Sequence, residues 1–187
     1  MFDRTIPMIA LTMQAEDLSV PPVFDLPEKY AWRYYRPGDA VNWARIEMSA
    51  DGFPDIETGL EWFRKWFPTD DDLDERMMYL TDAGVPFGTA TVWYDREDEK
   101  KGRIHWVCID AEHQGMGLSK VLVSMVMQRM RDFGYTSAFL TTQTSSWVAI
   151  KIYHRFGFKP VITSQEEIRG WKIVSEKTGI DFMQYIK

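Results

Sequence analysis

The stretch "RIHWVCIDAEHQGMGLSKVL", Arg103 to Leu122, constrains this chain more than any other. An apolar run rich in aliphatic and aromatic residues breaks at Asp110, passes Gly115 and Gly117, and continues as Leu118, Val121, Leu122, Met125, Val126, Met130 and Phe133 at helical spacing. A strand hands over to a helix through two glycines. The first turn of a helix carries N–H groups without intrahelical partners at the positive end of its dipole, and together these attract phosphate. Gly115 and Gly117 let such an anion reach the backbone, and Lys120 adds charge one turn in. The stretch lacks the Gly-Lys-Ser/Thr of an NTPase loop and the third glycine of the dinucleotide fingerprint. A tight turn whose small residues serve only helix packing is the alternative reading.

The surrounding pattern places that turn late in a mixed α/β or α+β layer arrangement. "MIALTMQ" alternates as a strand, and the proline-marked "LSVPPVFDLPEK" connects it onward, so residues 1–28 read as an N-terminal strand or arm packing on a domain of residues 29–187. "YAWRYYRP" reads as a strand, "AVNWARIEMS" as a helix with Val41, Trp43, Ala44, Ile46 and Met48 apolar, and "IETGLEWFRKWF" as a second amphipathic helix. The runs "RMMYLT", "FGTATVWYD" and "RIHWVCI" predict an antiparallel meander. After the glycine turn and its helix, which stops at Gly134, come the strand "TSAFLTTQ", the short helix "SWVAIKIYHRF" and the strand "FKPVIT". "QEEIRGWKIVSEKTG" looks helical despite Gly170, and "IDFMQYIK" is a candidate last strand closing the sheet.

Charge narrows the partners. The net charge of −6 disfavours nucleic acid, which needs a basic face. Residues 1–100 hold 21 acidic and 10 basic side chains and the remainder 7 and 12, so a basic half carries the candidate phosphate loop. That asymmetry suits an anionic cofactor and a cationic substrate; acidic runs such as "TDDDLDE" read as solvated loops. No run is long and apolar enough to span a bilayer, and the N-terminus lacks the order of a signal peptide, so a cytoplasmic location without membrane partners is expected. Cys108 lies in an apolar strand and reads as a buried thiol, while His105, His113 and His154 show no metal-ligand spacing with it, so no metal is expected.

The run Gln114, Gly115, Met116, Gly117, Leu118, Ser119 resembles the cofactor loop of the GNAT-type acyl-CoA N-acyltransferase superfamily: Gln or Arg, two residues, Gly, one residue, then Gly or Ala, at a strand-to-helix turn. Ser119 departs from the last position but is small and keeps its N–H. A second motif of that family, Asn, two residues, Ala-Ile, one residue, an aliphatic residue, Tyr, three residues, Gly-Phe, is matched by Ala149-Ile150, Ile152-Tyr153 and Gly157-Phe158, with Ser146 in the place of Asn. The resemblance covers residues 30–163 in element order and is carried by residues 103–158. It implies a mostly antiparallel central sheet flanked by helices.

The resemblance further implies acetyl-CoA, or another acyl-CoA, as cosubstrate, in a cleft where the strand before the loop splays from "SAFLTT". Its pyrophosphate would meet the N–H groups of Gln114, Gly115, Met116, Gly117, Leu118 and Ser119, with Lys120 or Lys151 nearby. A backbone N–H near Ile109 would stabilise charge on the thioester carbonyl oxygen, and Cys108, Ile109 and Ser146 count among the cofactor-binding candidates. Tyr153 matches the proton donor to the leaving thiolate; with a reference pKa of about 10 a tyrosine is protonated near neutral pH. The acceptor amine must be neutral to attack. His105, four residues before Ile109 and on its face by period two, is the candidate base; a half-buried histidine hydrogen-bonded to the sheet is the equal alternative, since the family's base varies and is sometimes only water, and Asp110 and Glu112 stand in reserve as residues that otherwise shape the turn.

Acceptor recognition is expected from "EMSADGFPDIETG" between the first two helices, with Asp51, Asp55 and Glu57 attracting a cation and Phe53 or Trp62 lining its apolar part. The leading expectation is an acetyl-CoA-dependent N-acetyltransferase acting on a small-molecule or peptide amine, as monomer or homodimer. A catalytically inactive acyl-CoA-binding regulatory module and a purely structural domain are the alternatives. The departures at Ser119 and Ser146 support the first of these, and Tyr153 counts against it.

Overall fold

The computed structural model describes residues 2–69, 72–95 and 97–186. Among these, the chain runs β1 (Ala10–Ala15), β2 (Tyr30–Tyr34), α1 (Ala40–Ser49), α2 (Ile56–Trp66), α3 (Leu73–Arg76), β3 (Met77–Asp82), β4 (Val85–Tyr94), β5 (Lys101–Ile109), α4 (Leu118–Asp132), β6 (Ser137–Gln143), α5 (Trp147–Arg155), β7 (Lys159–Val161) and α6 (Gln165–Thr178). The strand order is β2-β3-β4-β5-β6-β1-β7, a mixed and mostly antiparallel sheet of seven strands with flanking helices, as the element order predicts. The chain forms two compact units. One comprises the chain up to Pro22, Tyr94–Arg103 and the chain from Met130 onward; the other comprises Val23–Trp93 and Ile104–Arg129.

In the second of these units, β2, β3 and β4 pair antiparallel. Ala83 and Gly84, both at positive φ, make the two-residue turn between Asp82 and Val85, the geometry that matches strand twist in a tight hairpin. Helices α1 and α2, with Phe67 just after α2, lay Trp43, Ala44, Ile46, Phe63 and Phe67 against Met77, Tyr79 and Cys108, so this core is largely aromatic. Asp39 fixes the entry to α1 by accepting from Arg33 Nη2 at 2.8 Å, the Arg36 N–H at 2.7 Å and Asn42 Nδ2 at 2.9 Å. Burial alone would raise the Asp39 carboxyl, but these bonds, led by Arg33, hold it below its ordinary value. Asp55 caps α2, accepting from the Thr58 N–H at 2.7 Å.

In the other unit the N-terminal run is a strand of the sheet. β1 pairs antiparallel with β6 from Ala10↔Gln143 to Ala15↔Ala138 and with β7 from Thr12↔Val161 to Gln14↔Lys159. The start of β5 pairs parallel with β6, Lys101↔Ser137 through Arg103↔Phe139. Gly170 belongs in the middle of α6 because the helix presses on β1 there: a Cβ would stand 2.9 Å from Leu11 Cδ2 and 3.1 Å from Ile9 Cγ2. The chain after α6 departs from the expected closing strand. Gly179 ends the helix in the left-handed region, Asp181 accepts from the Met183 N–H at 3.0 Å, and Phe182–Tyr185 form a 3-10 turn that buries Phe182 against Trp171 at 5.1 Å. A ring buried from such a turn takes the place of alternation along a strand.

Candidate active site

The strand-to-helix turn is held from behind and open in front. Asp110 closes the end of β5: its N–H donates to Phe87 O at 2.8 Å, and its Oδ1 accepts from the His113 N–H at 3.1 Å and lies 2.7 Å from His113 Nδ1. His113 stacks on Phe87 with ring centroids 4.0 Å apart, and Gln114 Nε2 donates to Ile109 O at 2.9 Å. Asp110 is therefore committed to shaping the turn. Gly115 and Gly117 follow at φ 78° and 76°, conformations that an L side chain rarely adopts. Around a Cβ built on Gly115 nothing lies within 4 Å, and around one built on Gly117 only the Lys120 side chain does, its Nζ at 3.6 Å. Gly115, Met116 and Gly117 are exposed and Leu118 is buried, so the first turn of the 15-residue helix α4 opens on a bare backbone rim beside a cation.

β5 carries a bulge that changes which residues face which way. Trp106 adopts φ 49°, inside the left-handed region where a bulky residue is rare. Before it, His105 faces α2, its ring 4.7 Å from Trp66 and 6.0 Å from Phe67. After it, Cys108 joins the same aromatic core, with Sγ 3.7 Å from Ile46 O. Ile109 turns the other way: a Cβ on Gly88 would come within 2.6 Å of Ile109 Cδ1 and 3.6 Å of Leu80 Cβ. Leu80 pairs with Gly88 and alternates with Tyr79, which belongs to the aromatic core. His105 thus shares a face with Cys108 and not with Ile109, correcting the placement drawn from period two. The inserted residue at Trp106 reverses the parity. Burial pushes the Cys108 thiol well up, and the neighbouring Glu47 adds to that shift, so Cys108 is a neutral thiol rather than a nucleophile.

Two candidates lie in the unit that contains β6 and α5. Tyr153 is buried on α5, its ring 6.2 Å from Phe158, and its carbonyl accepts from the N–H groups of Phe156 and Phe158, which tightens the helix end. Ser146 precedes α5 and its Oγ accepts from Gln143 Nε2 at 2.7 Å, so the hydroxyl standing where the family pattern has an amide is tied to the end of β6. Lys151 is exposed.

Between α1 and α2 the expected acceptor residues separate. Asp55 is spent on capping, Asp51 is exposed at φ 67°, and Glu57 is exposed in the first turn of α2. Phe53 packs 5.7 Å from Trp43, 5.8 Å from Trp106 and 6.1 Å from Trp62. The residue passed over in the sequence is Glu47. It is buried on the core stripe of α1, one helical turn after Trp43, and that spacing was its signal.

Residues 39–158 match the model of the Acetyltransferase (GNAT) family. The chain is 29% identical over 157 residues to the mycothiol acetyltransferase of Actinosynnema mirum, covering 78% of this chain and 50% of that protein. To human N-acetyltransferase 8B it is 31% identical over 88 residues, 47% of this chain and 38% of the relative. It spans half or less of the length of these curated relatives. A solved GCN5-related N-acetyltransferase from Sphaerobacter thermophilus superposes with a TM-score of 0.66 at 20% identity, over 81% of this chain and 48% of that one, which shows a shared fold.

Proposed function

Because the chain belongs to the acetyltransferase (GNAT) family and is an acyltransferase, we propose that it transfers an acetyl group from acetyl-CoA to a primary amine by direct attack on the thioester. The observation that carries this reading is the open rim of Gly115, Met116 and Gly117 at the start of α4, with Lys120 beside it. A Cβ there would occupy the space a phosphate oxygen needs. The rim fits a pyrophosphate, which a helix N-terminus and a bare backbone bind without side-chain ligands.

Bound acetyl-CoA supplies an activated acyl carbon on a good leaving group. The chain's own groups supply the rest. The N–H groups of Gln114 to Ser119 bind the phosphates, and Lys120 adds charge. A backbone N–H at the end of β5, near Ile109, donates to the carbonyl oxygen as negative charge develops on it. Tyr153 gives its phenolic proton to the departing sulfur. His105, its ring packed edge-on between Trp66 at 4.7 Å and Phe67 at 6.0 Å, is not retained as the base. The acceptor is a small-molecule or peptide amine drawn by the acidic segment around α1 and α2.

Calorimetric titration with acetyl-CoA tests the reading first, followed by thiol release with a panel of primary amines. Saturable binding and amine-dependent release of CoA support it. Binding without transfer to any amine identifies a regulatory CoA-binding module, and no binding sinks both.

A further inference from the structure

Glu47 is a carboxylic acid in the wrong solvent. It sits on the face of α1 that carries Trp43, Ala44 and Ile46 into the aromatic core and is only 7% exposed. Its Oε1 is buried without a hydrogen-bond partner among the described residues. The titratable groups facing it are Cys108 from β5 and Tyr79 from β3, and neither is a cation. Arg45, its neighbour on α1, is turned to Pro86 O and Asp110 instead. A carboxyl in such a place is a liability to the fold, since neither a salt bridge nor a full set of hydrogen bonds offsets its desolvation.

The cover over that carboxyl is thin. Gly52, half-buried, folds back so that its N–H donates to Glu47 O at 2.8 Å, and a Cβ on it would stand 3.1 Å from Glu47 Oε2. Asp51 makes this turn possible at φ 67°. Beside the turn stand the partly exposed rings of Phe53, Trp62 and Trp106, with Phe53 5.8 Å from Trp106 and 6.1 Å from Trp62. Such π faces attract a cation on its way to a carboxylate. On the other side the carboxyl abuts Cys108, one residue before Ile109.

We propose that Glu47 is the proton acceptor for the amine, and that the acceptor is a cationic alkylamine or arylalkylamine whose ammonium reaches Glu47 past the Ala50–Phe53 turn. This rests on the acetyl-transfer reading above. The ammonium gives one proton to the Glu47 carboxylate and so frees its nitrogen lone pair. The C–N bond to the acetyl carbon forms and the C–S bond breaks. Sulfur takes the proton of Tyr153, the tyrosinate regains one from the new amide nitrogen, and Glu47 releases its proton to water. Burial raises the Glu47 carboxyl to about 8, with the Cys108 thiol opposing part of that shift, which poises the base near the working pH.

The test compares wild type, Glu47→Gln and Glu47→Asp with 2-phenylethylamine and a lysine-bearing peptide as acceptors, and follows the Glu47 carboxyl carbon by NMR in the presence of CoA. The expected result is a loss of at least about 100-fold in kcat/KM for Glu47→Gln with acetyl-CoA affinity unchanged. Its activity should recover as pH approaches the amine's own pKa, about 10, where free amine no longer needs a base. Glu47→Asp should keep the ascending pH limb at reduced rate. A Glu47→Gln enzyme with wild-type rate and pH limb overturns the proposal while leaving acetyl transfer intact. So does a Glu47 carbon that titrates in the ordinary carboxylate range, or one that no amine perturbs. Failure of wild type to bind acetyl-CoA sinks the underlying reading instead.

Discussion

His105 and Ile109 lie four residues apart on one strand and face opposite sides of the sheet, because Trp106 between them sits at φ 49°. The bulge turns His105 into a wall of the aromatic core, stacked edge-on against Trp66 at 4.7 Å. His105→Ala should therefore lower stability by about 1–3 kcal/mol through lost packing, and leave acetyl-CoA affinity and the ascending pH limb unchanged. Thermal melts and a pH–rate profile on the same variant check this. A flattened limb in a well-folded variant would restore His105 as the base.

Gly115 and Gly117 make the same backbone demand on a replacement and differ only in what surrounds it. At both, a side chain must accept positive φ; at 115 it finds open space, and at 117 it meets only Lys120, whose Cε lies 3.3 Å from the Cβ position. Gly115→Val should weaken acetyl-CoA binding at least 30-fold, since the branched side chain fills the space over the rim. The fold should pay no more than about 1–2 kcal/mol of backbone strain. Calorimetry and a melt on one sample separate the two effects. Unchanged affinity would make the glycines packing residues.

The sequence announced the glycine turn, α4 and both hairpin strands before it, because those features rest on local spacing and turn chemistry. A motif also singled out Tyr153, which is buried on α5. Other features required tertiary contacts that no local pattern encodes. The face of His105 depended on one inserted residue at Trp106. The end of the chain became a 3-10 turn because Phe182 found Trp171. Gly170, a poor helix residue by propensity, is in α6 because Leu11 and Ile9 leave no room for a Cβ. Glu47 stands one turn after Trp43 on a stripe that was legible in the sequence, and only its charge kept it out of the core reading.

Tyr153→Phe removes one oxygen from a buried ring and leaves its packing against Phe158. If the phenol protonates the leaving sulfur, kcat should fall by about 100-fold or more while acetyl-CoA affinity holds. Single-turnover release of CoA at saturating acetyl-CoA measures it. An unchanged kcat would reduce Tyr153 to a packing residue and assign the proton to water.

Glu47 makes a claim on stability that is independent of catalysis. Its carboxyl rises from 4.5 to about 8 on folding, led by desolvation, so between those values the folded protein holds a proton that the unfolded chain has released. Stability from this group is complete below about pH 4.5 and falls as pH rises through about 8. Glu47→Gln cannot ionise and escapes that decline. Wild type and variant should therefore melt closely together near pH 5 and diverge toward pH 8.5, the variant becoming more stable by an amount on the order of a few kcal/mol. Denaturant melts across that range decide it. A gap that stays constant with pH would mean that Glu47 ionises as freely in the fold as in the open chain, which its burial among Trp43, Ile46 and Cys108 does not allow.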